Sequence, residues 1–512
     1  MINTGEWIRQ WAQVRPGKTA VIDDGIPCTY AELNGRINRL ICLFLSLGLK
    51  KGDRVAVLLY NSRPYLEIFF ALSRLGAILV PLNWRLSVSE LTFIVDDSGS
   101  RLLIFDTPFA DNVEKLRTST GLEAFISCGP SPAEEVAPLI GEAIDYESSL
   151  QAHPATEPEL PEQAGDGDPH IIMYTSGTTG VPKGAVLSHR KTFFNVLNSD
   201  MLFGLSTNDV AIVVRPLFHS GGLIIGSAPF LYKGGTVILK RRFTPTEILE
   251  TVERYRVTVL ELPAAVYQFI LNECRIQDYD LSSLNSCFTG GERVPVHLLR
   301  ALAEKGLAVS QIYGLTEAST LLWLPMDKAR EKMGSVGRPV IHGDVKIINK
   351  HGKQVRPGES GEIIVRGPIV MNGYWNRPEE TDKAIRGGWL HTGDLARVDE
   401  EGFAYIVDRK KDMFISGGEN VYPAEIEKIM LGHPKVADVA VVGVDHEKWG
   451  EAGKAFIVPK AGVQIEAGEI FDFLKDRLAK YKIPTYVEFV AALPRTGSGK
   501  IRKYLLKGRK GK

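Results

Sequence analysis

Ile171-Ile172-Met173-Tyr174-Thr175-Ser176-Gly177-Thr178-Thr179-Gly180-Val181-Pro182-Lys183-Gly184 is the stretch around which the rest of the chain is read. An apolar run, as a buried strand would supply, breaks into residues that are almost all hydroxyl, glycine or lysine. Glycines let backbone N–H groups close round an anion, hydroxyls add adjustable donors, and one lysine adds charge. A flexible surface loop is the plainer alternative, but this order of residue types favours a polyphosphate cradle. After Gly184 a short apolar stretch leads to Ser188-His189, which can open a helix.

The stretch is not the common P-loop, which needs a Ser or Thr after its lysine to hold magnesium. Lys183 is followed by Gly184. The second near-match, Gly497-Ser498-Gly499-Lys500-Ile501, has proline at 494 where the pattern needs glycine, and Ile501 ligates nothing. An ordinary P-loop ATPase or kinase is disfavoured.

A chain of 512 residues exceeds one ordinary core, so two or more domains are expected. Its 61 basic and 61 acidic side chains cancel, which argues against recruitment of nucleic acid. Only the tail 500–512 is biased, with seven Lys/Arg and no acid, enough for weak peripheral membrane contact at most. The five cysteines (Cys28, Cys42, Cys128, Cys274, Cys287) lack C-x-x-C spacing and predict core thiols, not a zinc site or disulfide framework. The N-terminus does not resemble a signal peptide, and the longest apolar run, 68–82, is interrupted by Arg74. A cytoplasmic protein with no transmembrane segment is expected; the oligomeric state is not legible.

Outward from the phosphate stretch, strands and helices alternate. Thr29-Tyr30-Ala31-Glu32, Ser87-Val88-Ser89-Glu90 and Thr244-Pro245-Thr246-Glu247 are capping boxes that each open a helix. Strands are predicted over 54–60, 77–80, 102–105, 236–239, 257–262, 286–288 and 309–312. This predicts an α/β fold with doubly wound, parallel-type sheets. Two of the later strands run into Thr289-Gly290-Gly291-Glu292 and Tyr313-Gly314-Leu315-Thr316-Glu317. In such folds ligands gather beyond the strand C-termini, so these turns and the phosphate stretch predict one cleft. After 320 short strands with Gly/Pro turns predict a small barrel or antiparallel sheet, and 423–490 a compact α+β module.

Together these motifs resemble the adenylate-forming superfamily, in its acyl-CoA synthetase branch. The segments 174–184, 313–317, 392–394, 408–411 and 494–503 stand in that family's order and spacing. The run Ile415-Ser416-Gly417-Gly418-Glu419-Asn420-Val421-Tyr422-Pro423 resembles the synthetases in particular, bacterial fatty-acid–CoA ligases above all. The resemblance implies a large N-terminal adenylation domain, 1–408, and a small mobile C-terminal domain, 409–512, with Lys411 at the hinge. It implies ATP, Mg²⁺ and coenzyme A as ligands and a small-molecule carboxylic acid as substrate.

By that resemblance, Thr175, Ser176, Gly177, Thr178, Thr179, Gly180 and Lys183 hold the β- and γ-phosphates. Thr316 touches the α-phosphate and Glu317 binds Mg²⁺. Gly290, Gly291, Glu292, Tyr313 and Gly314 enclose adenine, although many synthetases have Ala-Pro where this chain has Glu292-Arg293. Asp394 takes the ribose hydroxyls with Arg409 near it. Lys500 bridges carboxylate and α-phosphate as charge builds, and Ser416, Gly417 and Gly418 border the pantetheine path. His219 lies beside the acid's carboxylate, while Phe218, Gly221, Ala264, Ala265, Tyr267 and Gly337 line an apolar acid pocket.

The implied reaction is ATP-dependent ligation of an acid to CoA through an acyl-adenylate, with a medium- or long-chain fatty acid as first expectation. An aryl or alicyclic acid, or a carrier protein as acceptor, are the alternatives. A non-catalytic nucleotide binder is disfavoured because Lys500, Glu317 and Asp394 are all present.

Overall fold

Thr29 with Glu32, Ser87 with Glu90 and Thr244 with Glu247 each exchange both bonds of a capping box. They open the helices Tyr30–Ser46, Val88–Ser98 and Pro245–Tyr255. The computed structural model describes residues 2–129, 143–175, 182–291, 294–410, 412–416, 419–446, 449–475, 477–478, 480–496 and 499–507. The chain forms two compact units, one of 1–344 with 365–390 and the other of 345–364 with 391–512.

Among the described residues, the first unit carries two large sheets. One has nine strands in the order Arg338–Pro339, Ser319–Trp323, Ser310–Leu315, Ser286–Gly290, Val259–Glu261, Val210–Val213, Thr236–Leu239, Thr19–Asp23, Ile26–Thr29. From Ser310–Leu315 to Thr19–Asp23 every pairing is parallel. The other runs Gly373–Tyr374, Lys183–Ser188, Pro169–Thr175, Ile78–Pro81, Arg54–Leu58, Leu102–Asp106, Ala124–Cys128, Ile144–Asp145. Its interior strands are buried along nearly their whole length, as parallel strands covered on both faces must be. The α/β reading and its strand positions therefore hold.

Parallel order stops at the strand Pro169–Thr175. Lys183–Ser188 runs antiparallel to Pro169–Thr175, with Thr175 opposite Lys183. The connection 176–182 is too short for a crossover, which needs a dozen or more residues, so the chain can only turn back. Likewise Ser319–Trp323 returns antiparallel to Ser310–Leu315.

Trp389–Val398 pairs antiparallel with Ala404–Arg409 and shares a sheet with Asp344–Ile348 and Ser360–Arg366. An antiparallel sheet is thus what the Gly/Pro-rich texture encodes. The last sheet pairs Val436–His446 with Gly450–Pro459, and Tyr486–Phe489 joins it in parallel. Helices Pro423–Met430 and Ala467–Lys475 supply Ile426, Met430, Ile470 and Leu474 to its core. Among the described residues, no helix is long and apolar enough to cross a membrane.

Candidate active site

Thr175 ends the strand Pro169–Thr175 and Lys183 starts its antiparallel neighbour. Ser176, Gly177, Thr178, Thr179 and Gly180 lie outside the described residues. Lys183 Nζ sits 2.6 Å from Glu380 Oε2 and 5.4 Å from the centre of the Tyr374 ring. Both partners arrive on the segment 371–384: Tyr374 pairs with Ala185, and Trp375 donates its N–H to Gly184 O over 2.7 Å. Asp97, near the end of helix Val88–Ser98, ties this segment down. It accepts from Tyr174 Oη at 2.7 Å and Arg377 Nη2 at 2.8 Å, while its carbonyl takes the Trp375 indole N–H.

The same segment reaches the second motif. Met371 N donates to Glu317 O over 2.7 Å, and Tyr374 Oη donates to Glu317 Oε1 over 3.0 Å. Tyr374 is held protonated well above the usual phenol range, first by burial and then by Glu317. One tyrosine thus joins Lys183 to the carboxylate of the 313–317 turn. Among the described residues, nothing holds the second oxygen of Glu317 within hydrogen-bond distance. A single carboxylate suits Mg²⁺, which is bound by one or two carboxylates together with phosphate oxygens and water. No cluster of three metal-ligating side chains occurs among the described residues, so magnesium held by protein alone does not fit.

Backbone packing explains two of the glycines. A Cβ on Gly314 would meet Ser319 O at 1.8 Å, and one on Gly290 would meet Ile312 O at 2.6 Å. Only bare backbone lets the 313–319 hairpin close and its neighbouring strand stand alongside. Thr316 and Glu317 are half-buried in the turn so formed, beside half-buried Tyr313. Gly291 follows its strand with φ +78°, and Glu292 lies outside the described residues.

The 215–221 turn is built with equal care. Asn61 accepts from Leu217 N and donates to Arg215 O, both at 2.9 Å. Arg215 in turn pairs with Glu261 and donates to Gly290 O at 2.8 Å, which ties this turn to the Gly290 strand end. Phe218 is buried, with its ring 4.4 Å from that of half-buried His219 and 6.2 Å from Trp84 in edge contact. Gly221 begins a π-helical turn, Gly221–Ile225. Ala264 is buried, Ala265 exposed, and Gly337 (φ +87°) lies against the Trp323 carbonyl. Tyr267 is wholly buried in the core of this sheet, its hydroxyl donating to Leu260 O at 3.0 Å.

In the second unit Asp394 stands directly across the ladder from Arg409, with Nε 3.0 Å from Oδ1. Lys410 and His391 converge on Glu362 at 3.1 and 3.3 Å, and together they depress its carboxyl despite burial. Ser416 is buried. Lys500 is exposed at a tight turn where Thr496 N donates to Lys500 O over 2.7 Å. Lys411, Gly417 and Gly418 lie outside the described residues.

The sequence profile of the AMP-binding enzyme family matches residues 8–375, and that of the AMP-binding enzyme C-terminal domain matches residues 425–500. The chain belongs to the AMP-binding enzyme family. Within it the chain is an AMP-forming acyl-CoA synthetase. It is 44% identical over 501 residues to a feruloyl-CoA synthase of Amycolatopsis sp, covering 98% of this chain and 97% of that protein. It is 36% identical over 514 residues to the long-chain-fatty-acid–CoA ligase FadD13 of Mycobacterium tuberculosis, covering 99% and 98%. Among solved structures, o-succinylbenzoate CoA synthetase (MenE) from Bacillus subtilis, in complex with the acyl-adenylate intermediate OSB-AMP, superposes with TM-score 0.86. That likeness is at 34% identity and covers 99% of each chain.

Tyr374, Glu380, Arg215 and Glu261 escape a reading of the sequence. The run Gly373-Tyr374-Trp375-Asn376-Arg377-Pro378-Glu379-Glu380 carries a signal, an aromatic pair before a helix start. Nothing local says that it pairs with a strand nearly two hundred positions earlier.

Proposed function

We propose that this AMP-binding enzyme activates an aromatic carboxylic acid with ATP and transfers the acyl group to coenzyme A. The observation that carries the aromatic reading is the 44% identity to the feruloyl-CoA synthase, maintained along 98% of the chain. The 36% match to the fatty-acid ligase supports a medium- or long-chain fatty acid as the second reading.

In the first half-reaction a carboxylate oxygen attacks the α-phosphorus and pyrophosphate leaves, which is largely a matter of positioning and charge neutralisation. Lys183 binds the β- and γ-phosphates once Glu380 releases it, with Thr175 and 176–180 supplying hydroxyl and backbone donors. Magnesium, when bound, spreads the charge of the leaving phosphates; Glu317 is its protein ligand, and Tyr374 aims that carboxylate. Thr316 steadies the α-phosphate. Gly290, Gly291, Glu292, Tyr313 and Gly314 take adenine, and Asp394 with Arg409 takes the ribose. Lys500 supplies the ammonium that neutralises charge between carboxylate and α-phosphate.

In the second half-reaction the CoA sulfur attacks the acyl carbon, AMP departs with the bonding pair, and the thiol proton passes to solvent. Ser416, Gly417 and Gly418 border the pantetheine, and His219, Phe218, Gly221, Ala264, Ala265, Tyr267 and Gly337 belong to the acid pocket and its supporting wall. The functional division falls at 408/409, with Lys411 as the pivot.

The test is a panel of aromatic and straight-chain acids at equal concentration, scored for AMP release with ATP, Mg²⁺ and CoA. Aromatic acids are expected to give the highest kcat/KM. A straight-chain acid preferred tenfold or more would replace the aromatic reading by the second one.

A further inference from the structure

Lys191 is a cation where none is expected. It lies in the first turn of helix His189–Phe203, where the helix dipole already disfavours positive charge, and it is completely buried. Among the described residues no carboxylate comes within ion-pair distance of it. Its ammonium makes one described side-chain contact, a hydrogen bond of 2.6 Å to Ser319 Oγ. Burying an ammonium against a lone hydroxyl is costly for a fold, and a Met or Leu would fill the same space without that cost.

What surrounds Lys191 connects to the turn proposed for the acid. Ser319 Oγ lies 3.4 Å from Ser220 Oγ, so the three polar groups form a chain ending beside His219. Ser319 itself is a non-glycine residue at φ +53°, an uncommon conformation that persists where its surroundings enforce it. Ser220 immediately precedes the π-helical turn Gly221–Ile225, a rare geometry concentrated at functional sites. The chain therefore runs from the hairpin that carries Glu317 to the turn that carries His219. Burial pushes the ammonium down to about 7 while Glu317 acts to raise it, so a donating amine and a full cation are both accessible near neutrality.

We propose that Lys191, Ser319 and Ser220 form a polar subsite of the acid pocket that binds an oxygen substituent of the acid, a phenolic oxygen or a second carboxylate. This inference rests on the aromatic-acid reading and deepens it: the substrates are ring-oxygenated aromatic acids. Lys191 acts as a specificity-determining residue. It rewards an acceptor oxygen, and its desolvated charge penalises an acid with only C–H at that position.

The test uses the full-length protein with cinnamate, 4-hydroxycinnamate, 4-carboxycinnamate, benzoate, its 3- and 4-hydroxy derivatives and octanoate. Each is assayed for AMP release in the wild type, Lys191→Met and Ser319→Gly. Glycine at 319 accepts the positive φ and removes the hydroxymethyl group. The wild type is expected to favour an oxygenated acid over its unsubstituted parent by tenfold or more. Lys191→Met should lower kcat/KM for that acid by about 10–100-fold, the loss of a hydrogen bond to a charged group. It should leave the unsubstituted acid unchanged or faster, with KM for ATP unmoved and the thermal midpoint equal or raised. Ser319→Gly should shift the same ratio in the same direction. Greater loss with the 4-carboxy acid than with the phenol identifies a second carboxylate as the ligand, and the reverse identifies the phenol. Equal loss on every acid, or an unchanged ratio in both variants, overturns the subsite while leaving the aromatic reading intact. A wild type that prefers octanoate overturns both.

Discussion

Tyr374 Oη donates to Glu317 Oε1 over 3.0 Å while the ring of the same tyrosine lies 5.4 Å from Lys183 Nζ. The carboxylate proposed for magnesium and the lysine proposed for the outer phosphates are thus set by one side chain. Tyr374→Phe keeps the ring and deletes the donor. A lost hydrogen bond to a charged group predicts adenylation slower by about 10–100-fold. The Mg²⁺ dependence should shift to higher concentration. ATP–pyrophosphate exchange measured across a magnesium titration checks this, and an unchanged magnesium midpoint counts against Tyr374 as a positioning residue.

Glu380 occupies Lys183 at 2.6 Å, and the pair is partly exposed. Phosphates must displace this carboxylate, so Glu380→Gln should tighten ATP binding by about 2–5-fold, the scale of an exposed ion pair. The gain should shrink with added salt. Calorimetric titration of ATP at low and high ionic strength reads both effects. Weaker ATP binding in the variant would mean that Glu380 holds Lys183 in place for phosphate instead of competing with it.

Much of this arrangement is visible in the sequence because it is local. Capping boxes at Thr29, Ser87 and Thr244, apolar strand runs, and glycine-rich strand ends depend on neighbours a few positions away, and all three helices begin where those boxes predict. What escapes reading is pairing at long range. The strand Gly373–Tyr374 joins Lys183–Ser188 at the sheet edge, and that pairing alone brings Tyr374 and Glu380 to Lys183. Lys191 is hidden for a different reason. A lysine in Ser188-His189-Arg190-Lys191 reads as one more surface cation, and only the packing of its helix against Ser319–Trp323 puts it inside.

Gly314 admits no side chain, since a Cβ there would sit 1.8 Å from Ser319 O. Gly314→Ala must open the hairpin that carries Thr316 and Glu317. Overpacking of this kind costs about 1–3 kcal/mol of stability. Adenylation should fall further than stability accounts for, because the turn itself moves. Urea melts beside exchange rates separate the two, and a variant with full exchange activity would show that the turn tolerates the shift.

His170 and His189 stack with ring centres 4.4 Å apart, and Thr4 Oγ1 reaches both at 3.3 and 2.9 Å. Burial holds both imidazoles neutral, with His189 lowered to about 4 and His170 well below its usual range. The unfolded chain therefore binds protons first. The contribution is complete above about pH 6.5 and is lost as pH falls from there toward 4. From His189 alone, unfolding free energy at pH 5 should lie about 2 kcal/mol below its value at pH 7.5. Urea melts at the two pH values measure the drop, which His189→Asn should reduce; an equal drop in that variant would assign it elsewhere.

The route from acid through acyl-adenylate to thioester runs on this one protein. Its most direct test follows α-labelled ATP with purified wild type and Lys500→Ala, given 4-hydroxycinnamate and Mg²⁺, with and without CoA. Without CoA the label is expected in an enzyme-bound acyl-AMP, and with CoA in free AMP as acyl-CoA forms. Lys500→Ala should lose the first step by on the order of 10²–10³ yet convert supplied acyl-AMP at close to the normal rate. Production of ADP, or failure to convert ATP with any acid in the panel, contradicts it.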